Sequence, residues 1–192
     1  IKDHGDITFL ASTRDDASGE AFDKVARLLG LPYPGGPQIE KLAKEGNPTK
    51  VDLPRPMLNE DTVEMSFSGL KTAVRLAEQD RNNAKEDIAA SFQQAVIDVL
   101  VGKAEKALEK HNAKSLLVAG GVAANQALAT ALTERFKKEL NVHISGLRLS
   151  VDNAAIIGSY AYFNNAPVKI DDIIADPLYH ARLVGTSRSK KL

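Results

Sequence analysis

The chain has 192 residues, 43% of them hydrophobic and 26% charged, and its 25 Lys and Arg balance its 25 Asp and Glu. That length suits one ordinary domain or one lobe of something larger, and the composition is that of a soluble globular protein. Zero net charge argues against a nucleic-acid binder working alone through a broad basic face, no run is long and apolar enough to span a membrane, and the lack of cysteine excludes disulfides, thiolate metal sites and a cysteine nucleophile.

With no secretory leader, the cytoplasm is the default location. Ile1-Lys2-Asp3-His4-Gly5-Asp6 leading into Ile7-Thr8-Phe9-Leu10 reads as a hairpin turn entering a strand whose partner lies upstream, so the chain is expected to be a fragment with an open strand edge there. Asp15 and Asp16 are placed to cap a helix over 18–29, with Ala21, Phe22, Val25, Leu28 and Leu29 on one face and Gly30 as its stop. Pro34-Gly35-Gly36-Pro37 makes a turn, Pro37 opens a short helix, and residues 47–64, rich in proline and without periodicity, form an irregular loop that is a candidate site wall. A helix follows from Ser68, its N-cap, through Ala77, with Phe67 in the core. A longer helix then carries Ile88, Phe92, Val96, Val99, Ala104 and Leu108 as an apolar stripe for packing on a sheet.

Residues 115–125, Ser-Leu-Leu-Val-Ala-Gly-Gly-Val-Ala-Ala-Asn, carry the most information. Residues 116–119 read as a strand covered on both faces, Gly120 and Gly121 turn it straight into a helix over 124–140, and such a junction can cradle a phosphate with backbone N–H groups. The motif is incomplete as a P-loop or dinucleotide fingerprint, and a plain tight turn is the competing reading. A second strand over 142–149 ends at Asp152-Asn153, where a helix of small and apolar residues begins. The order of elements indicates an α/β layer with ligands at the carboxyl ends of the strands. The expected result is two adjacent strands with the long helix packed on them.

Five segments in order, 15–24 (Asp-Asp-Ala-Ser-Gly-Glu-Ala-Phe-Asp-Lys), 33–37, 66–72 (Ser-Phe-Ser-Gly-Leu-Lys-Thr), 120–125 and 152–155, resemble the tRNA threonylcarbamoyladenosine transferase family, TsaD, once called glycoprotease or Gcp. The resemblance implies an incomplete actin-like ATPase fold (ASKHA, ribonuclease H-like), with 1–14 a remnant of the N-terminal lobe and 15–192 the C-terminal lobe. It implies transfer of a threonylcarbamoyl group from threonylcarbamoyl-adenylate to adenosine beside the tRNA anticodon, with TsaB and TsaE as partner subunits. Asp23, Gly36 and Asn125 match contacts to the adenylate, and Gly120, Gly121, Ser68 and Lys71 are candidate phosphate-loop contacts. Asp152 matches a ligand of one divalent metal, iron or zinc, although such an Asp could equally cap the last helix. Asp23 could likewise be a surface charge beside an ordinary Glu20–Lys24 ion pair.

The family's His-x-x-x-His metal pair and Ser-Gly-Gly phosphate loop have no counterpart here, and His4, His111, His143 and His180 lack ligand spacing and read as surface residues. The expectation is therefore a C-terminal portion, inactive and metal-free by itself, that self-associates through its exposed edge. Ala124 and Val151 depart from the serine and threonine common in the family, and Arg182, Arg188, Lys190 and Lys191 read as a solvated tail. Two alternatives are a metalloendopeptidase, for which no His-Glu-x-x-His is present, and a noncatalytic paralogue acting as a scaffold. Gly36, Asn125 and Asp152 are expected to converge on one cleft.

Overall fold

The computed structural model describes residues 1–4, 6–163, 169 and 171. The chain divides into two compact units, Ala11–Val151, and Ile1–Leu10 with Asp152–Leu192. The first holds α1 (Ser18–Leu28), α2 (Gly35–Ala43), α3 (Ser68–Gln79), α4 (Lys85–Lys110), β1 (Ser115–Val118), α5 (Gln126–Phe136), β2 (Asn141–Ile144) and α6 (Leu147–Ser150).

Helix α1 ends as its sequence demands. Gly30 adopts a φ of 76°, donating its N–H to Arg27 while Leu31 donates to Ala26, which closes the last turn in a Schellman motif. Its start is different from the expectation. Ala17 is the N-cap and has no side-chain cap bond, whereas Asp15 reaches α3 and Asp16 binds Lys24 Nζ at 2.6 Å. Helix α2 begins at Gly35 rather than Pro37, because the Asp23 carboxylate receives the Gly35 N–H at 2.7 Å and nucleates the turn two residues early. The approach of the two helices is close. A Cβ on Gly35 would lie 2.7 Å from both Ala26 Cβ and Asp23 Cα, so only glycine fits.

Residues 47–64 are irregular, as expected, but they are strapped to α4. Arg55 forks onto Asp98 at 2.8 Å, and the Ser91 hydroxyl accepts from Val51 N–H and donates to the Asn47 carbonyl. Lys103 is buried, and its Nζ donates to the carbonyls of Met57 (2.5 Å), Thr62 (2.6 Å) and Glu60 (3.3 Å). Burial, then the nearby charge of Lys106, pulls this ammonium below the usual lysine range.

The stripe on α4 serves two cores. Its first half, with Ile88, Phe92, Val96 and Val99, packs among α1, α2 and α3, where Phe22 meets Phe92 edge to face at 5.1 Å. Ile97, Leu100, Ala104 and Leu108 instead join Leu128, Leu132 and Phe136 of α5 with Leu116, Val118 and Val142. Sheet packing was expected of the whole stripe, and only the second half supplies it.

β1 and β2 pair in parallel with Leu116 opposite Val142, and α5 is the crossover between them. The strand was expected to be covered on both faces, but Leu116 and Val118 are half-buried against α5 while Leu117 is 61% exposed. The run lacks alternation in sequence yet alternates in burial, since helices cover one side only. The second strand stops at Ile144, and residues 147–150 form the one-turn α6, held by the Ser150 hydroxyl donating to the Ser145 and Gly146 carbonyls.

In the other unit, the expected turn is present, with Lys2 N–H donating to Asp6 and Asp6 N–H to Asp3. No strand follows it. Residues 7–10 have no regular structure, so the expected strand edge does not form there, although Ile7, Phe9 and Leu10 are exposed. Helix α7 (Ala154–Phe163) is capped by Asn153, whose Oδ1 accepts the Ile156 N–H at 3.0 Å, and His4 stacks on Phe163 at 3.7 Å. His180 and the basic residues at 182, 188, 190 and 191 lie outside the described residues.

Candidate functional site

Of the candidate residues of the larger unit, Gly36, Ser68 and Asn125 stand at the starts of helices, where backbone N–H groups lack intrahelical partners, whereas Asp23 lies in the middle of α1. Asp23 lies on α1, three residues before the Ala26 that packs on Gly35, so its side chain faces α2 and one carboxylate oxygen is spent on the Gly35 N–H. Gly36 is next in the chain. A Cβ built there meets nothing within 4 Å, so the backbone at Gly36 borders open space. One helical turn further along α2, Glu40 Oε1 accepts the Gln126 N–H at 3.0 Å, which ties this helix to the first residue of α5.

Asn125 is the N-cap of α5. Its Oδ1 accepts the Leu128 N–H at 2.9 Å, and its Nδ2 donates to Gln93 Oε1 of α4 at 2.8 Å, so this side chain is 7% exposed and held from two sides. Hydrogen bonds thus tie α1 to α2 at Asp23–Gly35, next to Gly36, and α2 to α5 at Glu40–Gln126, next to Asn125. Glu40 supplies the second of these ties and Gln93 holds Asn125 to α4, and no motif in the sequence marked either.

The glycine turn departs from a direct strand-to-helix junction. Gly120 takes a φ of 92°, and Gly121–Ala124 form one 3-10 turn before α5 begins at Gln126, which ends at Phe136 rather than at 140. Space is open at both glycines, and Val122 rests its Cγ2 3.4 Å from where a Cβ on Gly19 would stand. The turn therefore lies beside the start of α1.

Ser68 is the first residue of α3 rather than its cap. Asp15 Oδ1 accepts the N–H groups of Phe67 (2.7 Å) and Ser68 (3.2 Å), while its Oδ2 accepts the hydroxyls of Ser66 (2.5 Å) and Ser68 (2.7 Å). Partial burial pushes the Asp15 carboxyl up, but these donors outweigh it and hold it far below the usual carboxylate range. The start of α3 thus already carries an anion of the chain's own. Lys71 is exposed and has no ion-pair partner among the described residues. Phe67 is buried, as expected, and Lys24 bonds Glu20 at 2.8 Å as the spacing implied.

Asp152 is exposed and belongs to the other compact unit, where Asn153 and not Asp152 caps α7. Among the described residues no three His, Asp or Glu side chains gather in a way that could hold a metal ion. Asp152 alone supplies too few ligands, so the described residues do not fit the metal that the resemblance implies.

The parallel β1–α5–β2 unit and the helices packed beside it define an α/β protein. The sequence model of the TsaD family, tRNA N6-adenosine threonylcarbamoyltransferase, matches residues 1–159, and the chain belongs to this family. It is similar to the tRNA N6-adenosine threonylcarbamoyltransferase of Bacillus cereus, with 52% identity over 172 residues that cover 84% of this chain and 50% of that protein. The proteins of the same name from Halalkalibacterium halodurans (51% over 167 residues, 84% and 48% covered) and Moorella thermoacetica (48% over 191 residues, 93% and 55% covered) are comparably similar. The chain spans about half the length of the curated relatives it matches. Among the described residues no helix is long and apolar enough to cross a membrane.

Proposed function

We propose that this chain carries the adenylate-binding residues of a cytoplasmic tRNA-modifying acyltransferase with an actin-like ATPase fold. In the reaction the exocyclic amine of an adenosine in tRNA attacks the carbamoyl carbon of threonylcarbamoyl-adenylate. A carbon–nitrogen bond forms, the bond from that carbon to the phosphate oxygen breaks, AMP leaves, and the amine gives up one proton. The observation that carries the reading is the pair of hydrogen bonds, Gly35 to Asp23 and Gln126 to Glu40, that tie α1 to α2 beside Gly36 and α2 to α5 beside Asn125.

In this reading the second Asp23 oxygen accepts from a ribose hydroxyl, and the spare amide groups of Asn125 meet the adenosine. Gly36 lets the backbone approach the ligand and Gly120 and Gly121 attend the phosphate, whereas Ser68 is already engaged by Asp15 and Lys71 would reach the phosphate only as an exposed, unpaired cation. Asp152 has its metal role only if further ligands join it, and no step here is routed through a metal. TsaB and TsaE are the expected protein partners, with tRNA as the acceptor. Neither the metalloendopeptidase nor the scaffold reading is favoured, because the matched relatives bear the transferase name.

Gly36→Val tests the reading cleanly. A Cβ there meets nothing within 4 Å and the change replaces glycine in a helix, so folding is expected to be unharmed. The added methyl groups would fill the space assigned to ligand. Calorimetric titration with AMP is expected to show saturable binding that falls at least about tenfold in the variant, a loss of about 1.4 kcal/mol. Equal affinity in both proteins, each shown to be folded by circular dichroism, sinks the proposal.

A further inference from the structure

We infer that Gln93 is a positioning residue for the adenylate site, fixing the plane of the Asn125 amide so that its remaining donor and acceptor point at the ligand; this rests on the proposed role of Asn125. The Asn125 carbonyl oxygen must face the Leu128 N–H, since only an oxygen can accept there, and this leaves the amide nitrogen to face Gln93. One of its two hydrogens goes to Gln93 Oε1, so one N–H and one lone pair stay uncommitted. With the cap bond alone the amide could still swing about its last torsion. The bond to Gln93 removes that freedom and satisfies a hydrogen that would otherwise be buried without a partner.

Gln93 is itself suited to hold a fixed direction. It sits on α4 between the buried Phe92 and the fully buried Ala95 and Val96, on a helix packed into both cores. An anchor on such an element orients a ligand group more tightly than one on a loop.

The test is a double-mutant cycle read by NMR titration with adenosine, an uncharged probe that keeps the phosphate out of the comparison. Gln93→Met keeps the length and removes the acceptor, and it is expected to weaken adenosine about three- to tenfold, the range for one lost hydrogen bond. Gln93→Glu keeps an acceptor at the same reach and should stay within about twofold of the parent. Asn125→Ser retains a good N-cap but lacks the amide, and in its background Gln93→Met should have no further effect. Should the Met variant fail to fold, Gln93→Ala takes its place in the cycle.

An equal loss from the Gln93 change in both backgrounds marks a general packing role and overturns the inference. So does unaltered affinity in Gln93→Met while Asn125→Ser binds weakly, and that pattern leaves the adenylate reading intact. If Asn125→Ser and Gly36→Val both bind adenosine like the parent, the adenylate reading itself fails and the role of Gln93 fails with it.

Discussion

Asp15 caps a helix that begins 53 residues further along the chain, and it takes four hydrogen bonds to do so. In sequence it stands just before α1, where a local reading assigns it as that helix's cap. No window of a few residues can show Ser66 and Ser68 arriving beside it. The Glu20–Lys24 pair, by contrast, was legible because both partners lie on one helix face. Since the folded carboxyl titrates below its unfolded value, its contribution is complete above the ordinary carboxylate range and is lost as pH falls through the folded value. Asp15→Asn should therefore lower stability at pH 7 by roughly 1 kcal/mol, the usual worth of a cap, with the gap to the parent shrinking toward pH 3. Urea unfolding at both pH values checks it, and a gap that does not change with pH counts against the assignment.

Elements with strong local punctuation were readable, and their partners were not. Gly30 announced the end of α1, and the prolines between 47 and 64 announced a loop. Nothing in the helical pattern of α4 marked Lys103 as the post on which that loop hangs, because an isolated lysine on a helix is ordinarily solvated. The candidate site divided in the same way: the glycine turn and Asn125 lay within one short motif, whereas Glu40 and Gln93 came from helices far off in sequence. Lys103→Met should cost about 1–3 kcal/mol, since the carbonyls of Met57, Glu60 and Thr62 would lose a buried donor, and amide exchange over 55–64 should quicken. The parent should also gain stability as pH rises toward the usual lysine value. In that window the unfolded chain binds more protons than the folded one, and the cost of the buried charge is progressively relieved. Exchange over 55–64 that is the same in both proteins would show that the loop is held without Lys103.

Within residues 11–151, α4 runs through two cores, and 26 residues give it a length of roughly 39 Å. Leu100 and Val122 are packed against both clusters, so no layer of polar side chains separates them. A helix continuous through two apolar clusters couples their unfolding, because melting either half exposes residues shared with the other. Phe92 is fully buried in the first cluster and Ile97 is 4% exposed in the second. Phe92→Ala should lose about 3–5 kcal/mol and Ile97→Ala about 2–5 kcal/mol. Both losses should appear as a shift of one transition. Circular dichroism, which follows all the helices, and NMR methyl signals from Val74 in the first core and Leu132 in the second are expected to report the same midpoint in each variant. A second core that melts before the first in Ile97→Ala, with Val74 still native, would show that α4 does not transmit stability from the helical cluster to the βαβ unit.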